Sequence, residues 1–194
     1  LSHAQKEVCE FAHRYGIPAV CTMMGLGVFP TEDPMFYGMV GNNGQKYGNR
    51  AMNEADMILM VGARVADRSI SQPDLITENK VLVHIDVDPA EIGKNAGASI
   101  PLVGDIRHVF RKFLEAEPAA DYSEWTSRLD ALRTEGKNAR LEKHREAEER
   151  DLREKNPWVN AASFLRRLSL KMEDNAVYLA DVGQNQLWSC ANVV

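Results

Sequence analysis

The sequence predicts an α/β fold: a parallel sheet with helices on both faces. Two observations carry this. Short apolar runs of strand length, "MILMV" (Met57–Val61) and "VLVHID" (Val81–Asp86), are separated by helix-period stretches. Each run also hands over to glycine or acidic residues rather than to a two-residue hairpin turn. Strand-helix alternation without hairpin signals gives parallel pairing. Along continuous apolar runs, both sheet faces are covered.

The elements follow in order. Ala4 to Tyr15 places Val8, Cys9, Phe11 and Ala12 on one helical face, and Gly16 stops it. Pro18 to Thr22 is a short strand. A loop rich in glycine and methionine spans 23–44, and Gln45 to Ala55 reads as a helix. The strands Met57–Val61 and Val81–Asp86 come next. "DPAEIGKN" then has the grammar of a helix start: Asp88 as N-cap, Pro89 at the first helical position, Glu91 three after the cap. Ile100 to Val103 is a strand. Asp105 caps a helix to Leu114 with Val109, Phe110, Phe113 and Leu114 as its apolar stripe. After the connector "EPAADYSEW", Ser127 to Lys155 is dense in interleaved charge, poor in apolar residues and without a sustained heptad. It reads as a solvated helical linker. A helix from about Asn160 to Lys171, a turn at 173–175 and a closing strand, Val177 to Asp181, begin a second α/β domain.

Composition bounds the function. The 194 residues are 44% hydrophobic and 26% charged, as in a soluble globular protein. A net charge of −5 and a pI near 5.6 argue against nucleic acid or an anionic membrane as partner. Cys9, Cys21 and Cys190 form no C-x-x-C pair, so no metal site or disulfide framework is indicated, and a cytoplasmic setting is expected. No apolar run approaches the ~20 residues that span a bilayer. The start has neither an initiator Met nor a signal peptide, and the chain reads as the middle of a longer protein.

The chemistry gathers at strand ends, where ligands of open α/β sheets bind. Gly62 lets a ligand approach the backbone. Arg64 and Arg68 follow it, suited to a phosphate or diphosphate, or equally to pairing with Asp67 or other acids at the surface. Asp86 ends its strand one turn too early to cap the next helix and is placed to accept from ribose hydroxyls. His84, inside its strand, reads as a core histidine. Gly104-Asp105 repeats the design of glycine then acid. The glycines of "MMGLG" and "GNNG" (Gly25, Gly27, Gly41, Gly44) complete four loops along one edge, which a nucleotide would explain together. Near the end, Val182-Gly183-Gln184-Asn185 gathers polar groups at the tip of the closing strand.

In order, "GIPAVCTMMGLGVFP", "GMVGNNG", "ADMILMVGARVADR", "VHIDVDPAEIGKN", "IPLVGD" and "DVGQNQLW" resemble the catalytic subunit of thiamine-diphosphate-dependent acetolactate synthases. The resemblance spans all but the charged linker. It implies a truncated, Rossmann-like central domain over residues 1–117, a linker over 118–156, and the start of the C-terminal thiamine-diphosphate domain over 157–194. It further implies FAD contacts at Thr22, Met23 and Met24, at Val40, Gly41, Asn42 and Asn43, and at Gly62, Ala63, Arg64 and Arg68. Asp86 and Val87 would meet the adenosine end, with Gly104 and Asp105 closing the site. Val182, Gly183, Gln184 and Asn185 would sit on the diphosphate of thiamine. The family usually has Met-His at 42–43, Asp at 66 and His at 185, where this chain has Asn42-Asn43, Ala66 and Asn185; FAD, an ADP-like ligand and no ligand therefore stay open.

The implied parent decarboxylates pyruvate and transfers the hydroxyethyl unit to a second 2-oxo acid for branched-chain amino-acid synthesis. It uses thiamine diphosphate and Mg2+, as a homodimer or homotetramer with a regulatory subunit. The activating glutamate and the magnesium ligands would lie outside this chain, which holds no catalytic or metal-binding residue of its own and would be inactive alone. The alternatives are a glyoxylate carboligase, oxalyl-CoA decarboxylase or sulfoacetaldehyde acetyltransferase, or a plain nucleotide-binding module of the NAD type, against which the absence of G-x-G-x-x-G weighs.

Overall fold

The computed structural model describes all residues except 1, 67–69, 71, 118–119, 156, 174 and 194. It divides into two compact units, Leu1–Leu132 and Arg133–Val194.

The first unit is built on parallel strands. β1 (Ala19–Cys21) pairs with β2 (Phe36–Met39). β3 (Met57–Val61), β4 (Val81–Asp86) and β5 (Ile100–Val103) form a second sheet in the order β3-β4-β5. Register runs from Met57 opposite Val81 to Val61 opposite Ile85, and from Val83 opposite Ile100 to Asp86 opposite Val103. The single sheet expected from sequence is thus two, because β1 shares no ladder with β3 among the described residues.

Helices cover both faces. On one face of the three-stranded sheet, Val83, Ile85, Leu59, Val61 and Leu102 pack under α1 (Gln5–Tyr15) and α3 (Ile106–Phe113). Phe11 of α1 meets Phe110 edge-on at 5.0 Å and Phe113 at 5.6 Å. On the other face, Met60 and Leu82 pack with Val65, Ile76, Ala96 and Met52, the last from α2 (Lys46–Glu54). Val8 of α1 joins the cores of both sheets. Burial of successive residues on both faces occurs at β4, where Leu82 to Ile85 are all buried. β3 lies at an edge, and its Met57 stays exposed.

Three local expectations are corrected. No helix follows Asp88: Asp86 Oδ1 accepts the Asp88 N–H at 2.9 Å, and Asp88 Oδ1 accepts the Ala90 N–H at 2.9 Å. Two successive side-chain-closed turns result, and Gly93 and Gly97 follow where a helix would have continued. Residues 177–181 form no strand, since a strand needs a hydrogen-bonded neighbour and none runs beside them among the described residues. β2 lies within the stretch read as a loop.

α4 (Ser123–Arg153) begins in the first unit, where Leu129 is fully buried against Tyr37 and Ala51. The Tyr37 hydroxyl donates to Asp130 at 2.7 Å. The second unit contains the rest of α4 with α5 (Ala161–Ser169) and α6 (Gln184–Asn192), which pack on each other. Asn160 caps α5, its Oδ1 accepting the Ser163 N–H at 3.0 Å. No helix among the described residues is long and apolar enough to cross a membrane.

Candidate functional site

Parallel register puts the carboxyl ends of β3, β4 and β5 side by side. The Gly62 N–H donates to the Ile85 carbonyl at 2.8 Å, and the Gly104 N–H to the Asp86 carbonyl at 2.9 Å. Gly62, Ala63 and Arg64 therefore stand next to Asp86 and Val87, which stand next to Gly104 and Asp105. Arg64 is 76% exposed, and its Nε lies 3.4 Å from Glu91 Oε2. Lys94 Nζ shares Glu91 at 3.1 Å. One Asp86 oxygen is occupied by the Asp88 N–H, and Val87 is exposed. Asp105 caps α3. Hydrogen bonds from the Ser2 side chain and from the His108 and Arg107 N–H groups hold its carboxyl below the usual range. Arg68 lies outside the described residues.

A second group sits at the ends of β1 and β2, joined by the Val40 N–H donating to the Cys21 carbonyl at 2.8 Å. Thr22 leads into the 3-10 turn Met23–Gly25, with Met24 almost fully exposed. Val40 is buried, whereas Asn42 and Asn43 are exposed.

Two amides missed by the sequence reading hold this loop. Gln45 Oε1 accepts the Met39 N–H at 2.5 Å, and Asn49 exchanges two hydrogen bonds with Gly41. The signal was present: two amides four residues apart at the start of a helix share one face. His84 is 1% exposed; its Nδ1 accepts the Gly93 N–H at 3.4 Å and its Nε2 has no hydrogen-bond partner among the described residues. Burial pushes this imidazole below its ordinary value, against the pull of Asp86, the Ala63 carbonyl and Glu91.

In the second unit, Val182 is exposed and Gly183 caps α6. Gly183 has φ 143°, a conformation open to glycine. The N–H groups of Gly183, Gln184 and Asn185 have no acceptor among the described residues, while Asn185 Oδ1 accepts the Gln186 N–H at 2.7 Å. A helix start with unspent N–H donors and a side-chain-free approach fits a diphosphate.

A cavity of about 610 Å³ opens at the opposite, amino-terminal edge of β3 and β4, lined by Asp56, Met57, Thr77, Asn79, Lys80, Val81 and Tyr122. It contains none of the strand-tip residues. No group of three or more His, Cys, Asp or Glu side chains among the described residues could hold a metal ion.

A layer of parallel strands with helices on both faces, and glycines and acids at the strand tips, defines an α/β domain of the open parallel-sheet class. Residues 1–113 match the family described as thiamine pyrophosphate enzyme, central domain, and the chain belongs to that family. It is 33% identical over 191 residues to the probable acetolactate synthase large subunit of Methanocaldococcus jannaschii, covering 97% of this chain and 31% of that protein. It is 34% identical over 191 residues to the acetolactate synthase large subunit of Corynebacterium glutamicum, covering 96% of this chain and 29% of that protein. The Haemophilus influenzae acetolactate synthase large subunit is 37% identical over 113 residues, 58% of this chain and 20% of that protein. The chain thus spans less than a third of the length of these relatives.

Proposed function

We propose that the chain is part of the large, catalytic subunit of an acetolactate synthase, which decarboxylates pyruvate and transfers the hydroxyethyl unit to a second 2-oxo acid. The observation that carries this reading is the likeness over nearly the whole chain, through both compact units, to acetolactate synthase large subunits. The name of those relatives, large subunit, supports a smaller regulatory partner. The wider reading is a cytoplasmic homodimer or homotetramer with Mg2+ and domains at 1–117, 118–156 and 157–194.

Thiamine diphosphate, when bound, supplies the electron sink for decarboxylation. The task of this chain is to bind and orient. Gly183, Gln184 and Asn185 offer backbone N–H groups to the diphosphate at the start of α6, where the helix dipole favours negative charge. In the first unit the strand tips take FAD or an ADP-like ligand. Arg64 meets the diphosphate, Asp86 the adenosine ribose, and Asn42 and Asn43 the flanking phosphate or ribityl oxygens. Arg64 contacts Glu91 through Nε, which leaves both Nη groups for a phosphate.

The test uses the full-length protein. Acetolactate formation from pyruvate, with thiamine diphosphate and Mg2+, supports the reading; turnover of glyoxylate in its place assigns a different carboligase. The 194-residue chain alone should form no acetolactate. Titration with FAD and ADP addresses the strand tips. A charge-assisted hydrogen bond is worth ~1.5–3 kcal/mol, so Arg64→Ala should weaken binding roughly ten-fold or more, and Arg64→Lys should restore little if the contact is bidentate. Equal affinities would make Arg64 a surface residue held by Glu91.

A further inference from the structure

The loop between β2 and α2 is held in a way that its own backbone does not require. Gly41 has φ 107°, outside the range most side chains adopt. Its N–H donates to Asn49 Oδ1 at 2.8 Å, and Asn49 Nδ2 donates back to its carbonyl at 3.0 Å. The Gly44 N–H donates to the same carbonyl at 2.9 Å, so both lone pairs of that oxygen are used. One amide bonded to the N–H and C=O of one residue fixes the tilt of the backbone as well as its distance, because both bonds fail together if the loop rotates. α2 does not need this side chain, since the Asn49 N–H already closes the helix on the Gln45 carbonyl at 3.0 Å. Gln45 adds a second brace. Its Oε1 takes the Met39 N–H, and its amide lies where a Cβ on Gly38 would come within 2.7 Å.

The polar groups of Gly41 are therefore turned inward and spent. Those of the next two residues are not: the N–H groups of Asn42 and Asn43 have no acceptor among the described residues, and both residues are exposed. The loop also leads into α2, whose first N–H groups carry no side-chain cap. Phosphate oxygens are the acceptors that such a set of donors suits.

The geometry points to Asn49 as the positioning residue of the nucleotide edge: it does not touch the ligand but locks the Gly41 peptide so that the Asn42 and Asn43 N–H groups face a phosphate-bearing ligand. The inference rests on the strand-tip nucleotide reading. It adds that affinity depends on a side chain eight residues beyond the glycine it holds.

The experiment is titration of the full-length protein with ADP and, separately, FAD. Thiamine diphosphate is titrated in parallel, and thermal unfolding of the ligand-free protein is recorded. Losing two neutral hydrogen bonds to one residue, one to each of its flanking peptide groups, Asn49→Ala should weaken ADP or FAD binding roughly ten-fold. Thiamine diphosphate affinity should stay unchanged. Asn49→Gln carries the same amide one methylene too far and should restore nothing. Undiminished nucleotide affinity in Asn49→Ala, or full rescue by Asn49→Gln, overturns the inference and leaves the nucleotide reading intact. Joint loss of both ligands with a lowered melting temperature overturns it too, making Asn49 part of the fold's general stability. A wild-type protein that binds neither ADP nor FAD overturns the nucleotide reading, and the inference with it.

Discussion

Leu129→Ala separates two views of the charge-dense segment. A solvated helical linker would tolerate the change, because exposed substitutions stay within about 0.5 kcal/mol. Yet Leu129 is 0% exposed. It packs on Tyr37 and Ala51, with Val20, Tyr47, Trp125 and Leu132 around it. Burying-then-deleting such a side chain costs ~2–5 kcal/mol, the upper part of the range applying where the surroundings cannot close the void. Trp125 and Leu132 are only partly buried and can shift inward, so about 3 kcal/mol is expected. For a unit of this size that lowers the unfolding midpoint by roughly 10 °C. Urea and thermal unfolding of the chain, followed by circular dichroism and by tryptophan fluorescence, give the number. Leu152→Ala on the same helix is the control, since Leu152 is 80% exposed and should change little. Tyr37→Phe should remove a further ~1 kcal/mol through the lost hydrogen bond to Asp130, with strong non-additivity in the double variant. A Leu129→Ala effect as small as that of Leu152→Ala would mean that the start of α4 does not belong to the first core.

His84 predicts a pH slope. Its folded value is depressed by burial, so its contribution is fully present above the unfolded value of about 6.5 and is lost as pH falls through the folded value. His84→Gln should flatten the decline in stability as pH falls below about 6.5, whatever it does to the stability at neutral pH; an unchanged slope would refute this. Asp86 and Glu91 are the charged groups that favour the protonated form, and His144, also depressed, contributes a separate slope of the same sign. Gly48→Ala should destabilise despite alanine's ~1 kcal/mol advantage inside a helix, because the new Cβ would lie 2.7 Å from the Tyr37 carbonyl oxygen and 3.2 Å from that of Met39. A gain in stability would show that α2 can lift off β2 at little cost.

The elements most legible in the sequence were those whose local signal matched their surroundings. β3, β4 and β5 fall where their apolar runs placed them, and Asp105 and Asn160 cap α3 and α5 because each precedes an amphipathic stripe with a free oxygen to offer. β2 was hidden by Gly38, whose φ of 83° and cover by Gln45 are tertiary facts that a propensity reading counts as loop. "DPAEIGKN" failed for the converse reason. Its cap grammar is sound, but Gly93 and Gly97 follow within three turns and no apolar stripe repays the helix. Val177 to Asp181 has a strand's composition, and composition supplies no neighbour to pair with.

The same division runs through the site. Motifs name residue types able to meet a ligand: Gly62, Arg64, Asp86, Asn42. They say little about what holds those residues, which sits elsewhere in the chain and is chosen by geometry. Glu91 is the instructive case. It was read as the third position of a helix that does not form; in the structure it meets Arg64 from the loop after β3. That contact satisfies the bland reading of Arg64, a surface arginine beside an acid. It does not exclude the other. At 76% exposure the pair is worth at most about 1 kcal/mol, since water screens it and both side chains lose freedom in forming it. A doubly charged diphosphate bonded by two Nη groups offers more than that. The carboxylate therefore acts as a weak rest for the guanidinium rather than a lock. Glu91→Gln should accordingly shift nucleotide affinity much less than Arg64→Ala does. If the two variants lowered it equally, Arg64 would depend on Glu91 for its orientation, and the surface pair would itself be part of the site.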